Sequence, residues 1–193
     1  GGVVGAATAR SYLEFADVRV YDTDPKRGSH TLVEALEGDL IFVCLPTPHD
    51  KAKDACDVSI VEEFFREHKG YLKNFVLKST VPIGTTRRLS KEYEIPNLCH
   101  SPEFLTARCA YTDAQMPARN IIGSWLRRNL LNDPHSVEWW GDCANHLGEL
   151  YHYRFPGVPT YLMTSDESEA VKLIQNSFFA VKLSYWNEAR SFA

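Results

Sequence analysis

The sequence predicts an α/β fold: a doubly wound parallel sheet followed by one long connecting α-helix. Three observations carry this reading. Short apolar runs alternate with longer amphipathic stretches, the strand–helix–strand rhythm of a parallel sheet. The run Leu40-Ile41-Phe42-Val43-Cys44-Leu45 is apolar throughout, as a strand covered on both faces must be. Residues 165–193 contain no Gly or Pro, so a helix of nearly thirty residues is expected there.

The elements follow in order. Gly1-Gly2-Val3-Val4-Gly5 is a glycine-rich turn suited to the start of a helix, and Val18-Arg19-Val20-Tyr21 reads as a short strand ending at Asp22. The strand at 40–45 stops at Pro46-Thr47-Pro48, because proline has no N–H for a central ladder. Ile60, Val61, Phe64 and Phe65 form one stripe of a helix over 59–69. Phe75-Val76-Leu77-Lys78 and Asn97-Leu98-Cys99-His100 read as strands, and Asn120-Ile121-Ile122-Gly123 as another after a loop with Pro117. A helix over 136–151 and a strand at Thr160-Tyr161-Leu162-Met163 come next. Ser165 starts the last helix, with Asp166, Glu167 and Glu169 at its positive end. A boundary near Thr164 divides a sheet domain, 1–164, from the helix at 165–193.

Composition narrows the function. Of 193 residues, 44% are hydrophobic and 24% charged, the mix of a folded globular chain. The net charge of -4 supplies no basic stripe, which argues against nucleic acid as a partner. The run at 40–45 is too short to cross a bilayer, so no membrane partner is expected. Five cysteines (Cys44, Cys56, Cys99, Cys109, Cys143) form no C-x-x-C pair, which fits a reducing cytoplasm and no metal site. The chain does not start with Met, so the strand before the opening glycines is expected to lie outside it.

The chemistry begins with Gly2 and Gly5, spaced as the last two glycines of G-x-G-x-x-G. Such glycines let a backbone turn approach a pyrophosphate at a helix N-terminus, so Gly2, Val3, Val4 and Gly5 are cofactor-binding candidates. Asp22 closes a strand seventeen residues after Gly5. A carboxylate there hydrogen-bonds ribose hydroxyls and repels a 2′-phosphate, which favours NAD over NADP. The plainer reading of Asp22 is a cap on the turn Asp22-Thr23-Asp24-Pro25. His49, His100 and His146 show no ligand spacing and read as structural or surface groups.

Further segments complete a pattern: Phe42-Val43-Cys44-Leu45-Pro46-Thr47-Pro48, Lys78-Ser79-Thr80-Val81-Pro82-Ile83-Gly84, Ser101-Pro102-Glu103-Phe104-Leu105, Ile121-Ile122-Gly123 and Lys172-Leu173-Ile174-Gln175-Asn176. With the glycines and Asp22, in this order, the chain resembles the UDP-glucose/GDP-mannose dehydrogenase family. The resemblance implies a Rossmann-type domain and a nucleotide-sugar substrate whose C6 alcohol is oxidised twice, through an enzyme thioester, with two NAD. By resemblance Thr80 holds a water near the reacting carbon on the cofactor side, and Glu103 is the base assisting thioester hydrolysis. Phe104 and Leu105 offer backbone to the substrate. Lys172 stabilises the developing oxyanion, with Asn176 beside it. Arg27, Thr47 and Pro48 fall at cofactor-side positions. The family's long helix lies at a subunit interface, so a homodimer is expected.

Two departures qualify the match. The family's nucleophilic cysteine sits in a Gly-rich segment followed by Phe-Pro-Lys-Asp, and none of the five cysteines does. A covalent route needs that thiolate, so the chain reads as the NAD-binding half, with the C-terminal nucleotide-sugar domain outside it. Ala107 stands where the family usually has a second glutamate. The alternatives are a short non-catalytic homologue that binds nucleotide or protein, and a β-hydroxy-acid dehydrogenase sharing the Rossmann half. The latter leaves S-P-E-F-L and K-L-I-Q-N unexplained.

Overall fold

The structure, a computed structural model, describes residues 2–52, 54–125, 128, 129, 138, 139 and 141–192. Helix α1 (Val3–Tyr12) and α2 (Leu32–Leu36) precede β1 (Leu40–Val43). A short hairpin of β2 (His49–Asp50) and β3 (Ala55–Cys56) leads to α3 (Ser59–Glu67), β4 (Asn74–Leu77), α4 (Thr85–Glu92) and β5 (Leu98–His100). A 3-10 turn (Ala107–Cys109) and α5 (Ala110–Gln115) lead into β6 (Asn120–Ser124). The hairpin of β7 (Arg128–Asn129) and β8 (Glu138–Trp139), then α6 (Asp142–Arg154), β9 (Thr160–Thr164) and α7 (Ser165–Arg190), complete the order.

The main sheet runs β1-β4-β5-β6-β9. Alternation along β4 shows why it is doubly wound. Phe75 and Leu77 enter a core with Val61, Phe65 and Leu89 from α3 and α4. Val76 enters the opposite core, with Tyr12 from α1 and Leu147, Tyr151 and Phe155 from α6. Every second side chain of a strand faces the same way, so an apolar run is what two-sided covering requires.

The expected all-parallel sheet is corrected at one step. β1, β4 and β5 are parallel and β6 is parallel to β9, but β5 and β6 are antiparallel. A parallel return needs a crossover spanning the sheet, and the six residues of α5 cover only ~9 Å. Helix α5 instead packs on α1, and the last two residues of β6, Gly123 and Ser124, pair with His100 and Cys99 at the end of β5.

Other boundaries move too. Residues 18–21, expected as a strand, join no ladder among the described residues, and the Val20 carbonyl accepts the N–H groups of Ser29 and His30. A ladder needs a neighbour, and here the local turn takes that carbonyl. The helix expected over 136–151 begins at Asp142, and residue 136 lies outside the described residues. Helix α7 begins at Ser165 as expected, and its N-cap is Thr164. Its hydroxyl accepts the Glu167 N–H, while the Glu167 carboxylate accepts the Thr164 N–H, a reciprocal capping box.

The opening turns of α7 sit against the sheet. A Cβ on Gly123 would overlap the Ser168 side chain, so glycine there lets α7 reach β6. Beyond these turns the helix is open: Phe178, Leu183 and Trp186 are at least 60% exposed.

Candidate functional site

The carboxyl ends of β1, β4 and β5 and the start of β6 share one edge, with the third turn of α7 beside it. Ligands of open α/β sheets sit at this edge. It gathers the segments that follow β1 (44–48), β4 (78–84) and β5 (101–106).

Glu103 and Lys172 meet there. Lys172 Nζ lies 2.8 Å from Glu103 Oε1, and both side chains are largely buried. The other carboxylate oxygen accepts the Leu105 N–H at 2.6 Å, which folds the 103–105 turn over its own acid. The Lys172 ammonium lies 5.6 Å from the Phe104 ring centroid, and the Arg119 guanidinium stacks on the same ring at 4.5 Å. Arg119 in turn donates to Gln175 Oε1 at 2.5 Å, tying the start of β6 to α7. Asn176 follows Lys172 one turn on and is exposed.

Thr80 and Thr47 also come together: the Thr47 hydroxyl donates to the Thr80 carbonyl at 2.7 Å. Ser79 stitches the same two segments, its hydroxyl donating to the Leu45 carbonyl and accepting the Leu45 N–H. Pro48 is exposed at the rim. His100 lies fully buried, Nδ1 2.7 Å from Ser168 Oγ and Nε2 3.3 Å from the Ser79 carbonyl. Burial first, then the Lys78 and Lys172 charges, push its pKa down to about 3 against the Ser79 bond, so the ring is neutral. It is the structural group the sequence suggested.

The glycine-rich end suits the dinucleotide. Gly2 caps α1, nothing lies within 4 Å of where its Cβ would stand, and the first turn of α1 has no acidic residue. A Cβ on Gly5 would touch Cys44 Cβ at 3.5 Å, so this glycine allows close helix–strand packing. Asp22 Oδ1 accepts the Asp24 N–H at 2.8 Å, so the turn-capping reading also holds. A Cβ on Gly28 would stand 2.9 Å from the Asp22 nitrogen, making glycine necessary where this turn closes. Arg27 is exposed and pairs with Asp24 at 3.3 Å.

Some residues of the edge escaped the sequence reading. Glu169, completely buried, accepts the N–H groups of Gly84 and Thr86 and the Thr86 hydroxyl. Arg119 gave no signal beyond its charge. Ser101 Oγ and Tyr151 Oη lie 2.7 Å apart, in contact across fifty residues that share no local motif.

A doubly wound sheet, a glycine-opened first helix and an acidic residue behind it define a dinucleotide-binding domain. The model of the UDP-glucose/GDP-mannose dehydrogenase family, NAD binding domain, matches residues 26–131, over half of the chain. The chain belongs to that family, and the cofactor of the domain is NAD. It is 30% identical over 159 residues to the UDP-glucose 6-dehydrogenase of Campylobacter jejuni, covering 80% of this chain and 37% of that protein. Two solved structures share the fold. A UDP-D-ManNAc dehydrogenase from Pyrococcus horikoshii superposes with TM-score 0.70 at 19% identity, over 97% of this chain and 51% of its own. A UDP-glucose dehydrogenase from Pyrobaculum islandicum does so with TM-score 0.64 at 24% identity, over 98% of this chain and 45% of its own. The chain thus spans about two-fifths to one-half of these relatives' length.

Proposed function

We propose that this chain is the NAD-binding half of a nucleotide-sugar 6-dehydrogenase, oxidising the C6 alcohol of UDP-glucose or a similar nucleotide sugar to the uronic acid. The observation that carries it is the Glu103–Lys172 pair at the carboxyl edge, with Phe104 packed beside it. A buried ammonium held by a carboxylate is a preorganised electrostatic group of the kind that stabilises an alkoxide as charge develops on it. Glu103 is then close enough to exchange a proton with a water in the same cleft, and Asn176 extends the polar lining. Thr80, on the stitched loop after β4, positions that water. The backbone of Phe104 and Leu105 contacts the sugar nucleotide.

Gly2, Val3, Val4 and Gly5 would hold the pyrophosphate, Asp22 the ribose hydroxyls, and Arg27, Thr47, Pro48 and Thr80 the remainder of NAD. Bound there, NAD supplies the hydride acceptor. The domain division at Thr164 and a homodimer through α7 belong to the same reading. So does a cytoplasmic location, in keeping with five free cysteines; no described helix is long and apolar enough to cross a membrane.

Calorimetric titration with NAD, NADP as control, tests the cofactor half. NAD binding that Asp22→Ala abolishes supports it, and equal binding of both nucleotides sinks it. Spectroscopic assay of NADH formation with UDP-glucose, GDP-mannose and UDP-N-acetylmannosamine tests the substrate half. The assay is run with the cysteine-bearing nucleotide-sugar half supplied, and no NADH with any of the three sugars from a protein that binds NAD would overturn it.

A further inference from the structure

Lys78 is a buried cation with no counter-charge. It is 8% exposed and makes no hydrogen bond, ion pair or ring contact through its ammonium among the described residues. Alternation along β4 puts it on the face of Val76, beneath α1 and α6. There it lines a cavity of about 340 Å³, bounded by Tyr12 of α1, the 101–106 loop, α5 and Tyr151 of α6.

The neighbours that could neutralise it do not. Burial pushes the Cys44 thiol up to about 11, against the pull of Lys78 itself. Cys99, hydrogen-bonded to Cys143 and buried, is raised well above the ordinary thiol range and stays an uncharged thiol. Both cavity carboxylates are already engaged: Glu103 with Lys172 and the Leu105 amide, Asp113 with the Thr106 amide at 2.7 Å. Most of the Lys78 side chain is buried while its ammonium faces the cavity without a counter-charge, and such a cation is an open position for an anion. The same cavity carries the Ser101–Tyr151 hydroxyl pair, able to donate or accept beside it.

We propose that this cavity is a binding site for a small oxyanion, a carboxylate or a phosphate group, seated on the Lys78 ammonium with Ser101 and Tyr151 as neutral partners. The cavity shares Glu103, Phe104 and Leu105 with the substrate side proposed above, so this inference rests on that reading, although Thr47, Thr80 and Asn176 do not line it. Anion binding is read by unfolding and sugar oxidation by NADH formation, so the two can fail separately.

The test is thermal unfolding of the full chain at constant ionic strength, with inorganic phosphate, acetate or chloride as probe, for the wild type, Lys78→Met and Lys78→Arg. The proposal expects a saturable rise of roughly 3 °C with phosphate, acetate or both, kept in Lys78→Arg and lost in Lys78→Met. Which anion acts distinguishes the phosphate source from the carboxylate source. A rise that never saturates, or that Lys78→Met shares, is a general salt effect and overturns the site. Without added anion, Lys78→Met should melt no lower than the wild type, because it removes an unpaired charge. A variant that is markedly destabilised or fails to fold would show that the ammonium is already satisfied, and would equally overturn it.

Discussion

The Glu169 carboxylate closes the N-terminus of helix α4 through Thr86, taking its N–H at 2.7 Å and its hydroxyl at 2.6 Å from 83 residues away. It also accepts the Gly84 N–H at 2.5 Å. The first N–H groups of a helix have no partner within it, and α4 has no side-chain cap of its own. Glu169 supplies that cap from α7, less than one turn before Lys172. One buried carboxylate thereby fixes the loop that carries Thr80 relative to the helix that carries Lys172.

Glu169→Ala should therefore cost about 3 kcal/mol, because it leaves the buried Thr86 N–H and hydroxyl and the half-buried Gly84 N–H without an acceptor. Urea unfolding measures this. A loss below about 1 kcal/mol would show that water replaces the carboxylate. Burial raises the Glu169 pKa despite its three donors. A folded carboxylate with a raised pKa binds its proton more tightly than the unfolded one, so its contribution becomes more favourable as pH falls through the folded pKa toward the unfolded value. Glu169→Gln should remove that component from the stability–pH curve.

His100 works the other way. Its pKa falls from 6.5 unfolded to about 3 folded, chiefly through burial. Its stabilising contribution is complete above pH 6.5 and is lost as pH falls toward 3, with a slope of up to about 1.4 kcal/mol per pH unit. Denaturant midpoints of the wild type between pH 7 and 4 should fall more steeply than those of His100→Gln. Parallel curves would mean that the ring is not excluded from protonation.

The two faces of the sheet were legible because β4 and β1 are apolar without alternation, which only two-sided covering explains. The meeting of Glu103 and Lys172 was legible from motif order rather than from any pattern, since 69 residues separate them. Other features were not. The Glu169 cap looks, in sequence, like one more acid at a helix start, and only tertiary packing selects it over Asp166. The reversal at β6 depends on how short α5 is, and Pro117 gave no sign of a helix just before it. Thr164 was passed over because it ends a strand and caps a helix at once.

Gly123→Ala should separate β6 from α7. The added methyl has no room beside Ser168, and the neighbour on its other side is the Ser165 backbone at 3.0 Å. Overpacking of this kind costs roughly 1–3 kcal/mol. Calorimetry should show Gly123→Ala melting below the wild type, and an unchanged midpoint would show that Ser168 can turn away from the methyl.

The Glu103–Lys172 pair should show strong coupling. Removing either partner leaves a charge in a mostly enclosed site, so the losses of Glu103→Gln and Lys172→Met should add to more than the loss of the double variant. A double-mutant cycle in urea should give an interaction of about 1–3 kcal/mol. A value near zero would mark the pair as a solvent-screened contact and would weaken the electrostatic role proposed for Lys172.

The outer half of α7 is apolar and open to solvent. Ile174, Phe178, Val181, Leu183, Tyr185 and Trp186 are each at least 60% exposed. Their positions spread around the helix, so the helix offers more than a single stripe to a partner. A monomer seldom leaves so much contiguous apolar surface in water, and the resemblance implies that this helix joins two subunits. Sedimentation of the chain should show a dimer or larger species that Phe178→Glu with Trp186→Glu converts to monomer, while NAD binding persists. The charges would be placed where the partner helix must exclude water, and neither residue is among those assigned above to NAD. A wild-type chain that sediments as a monomer at high concentration would remove α7 from any interface between copies.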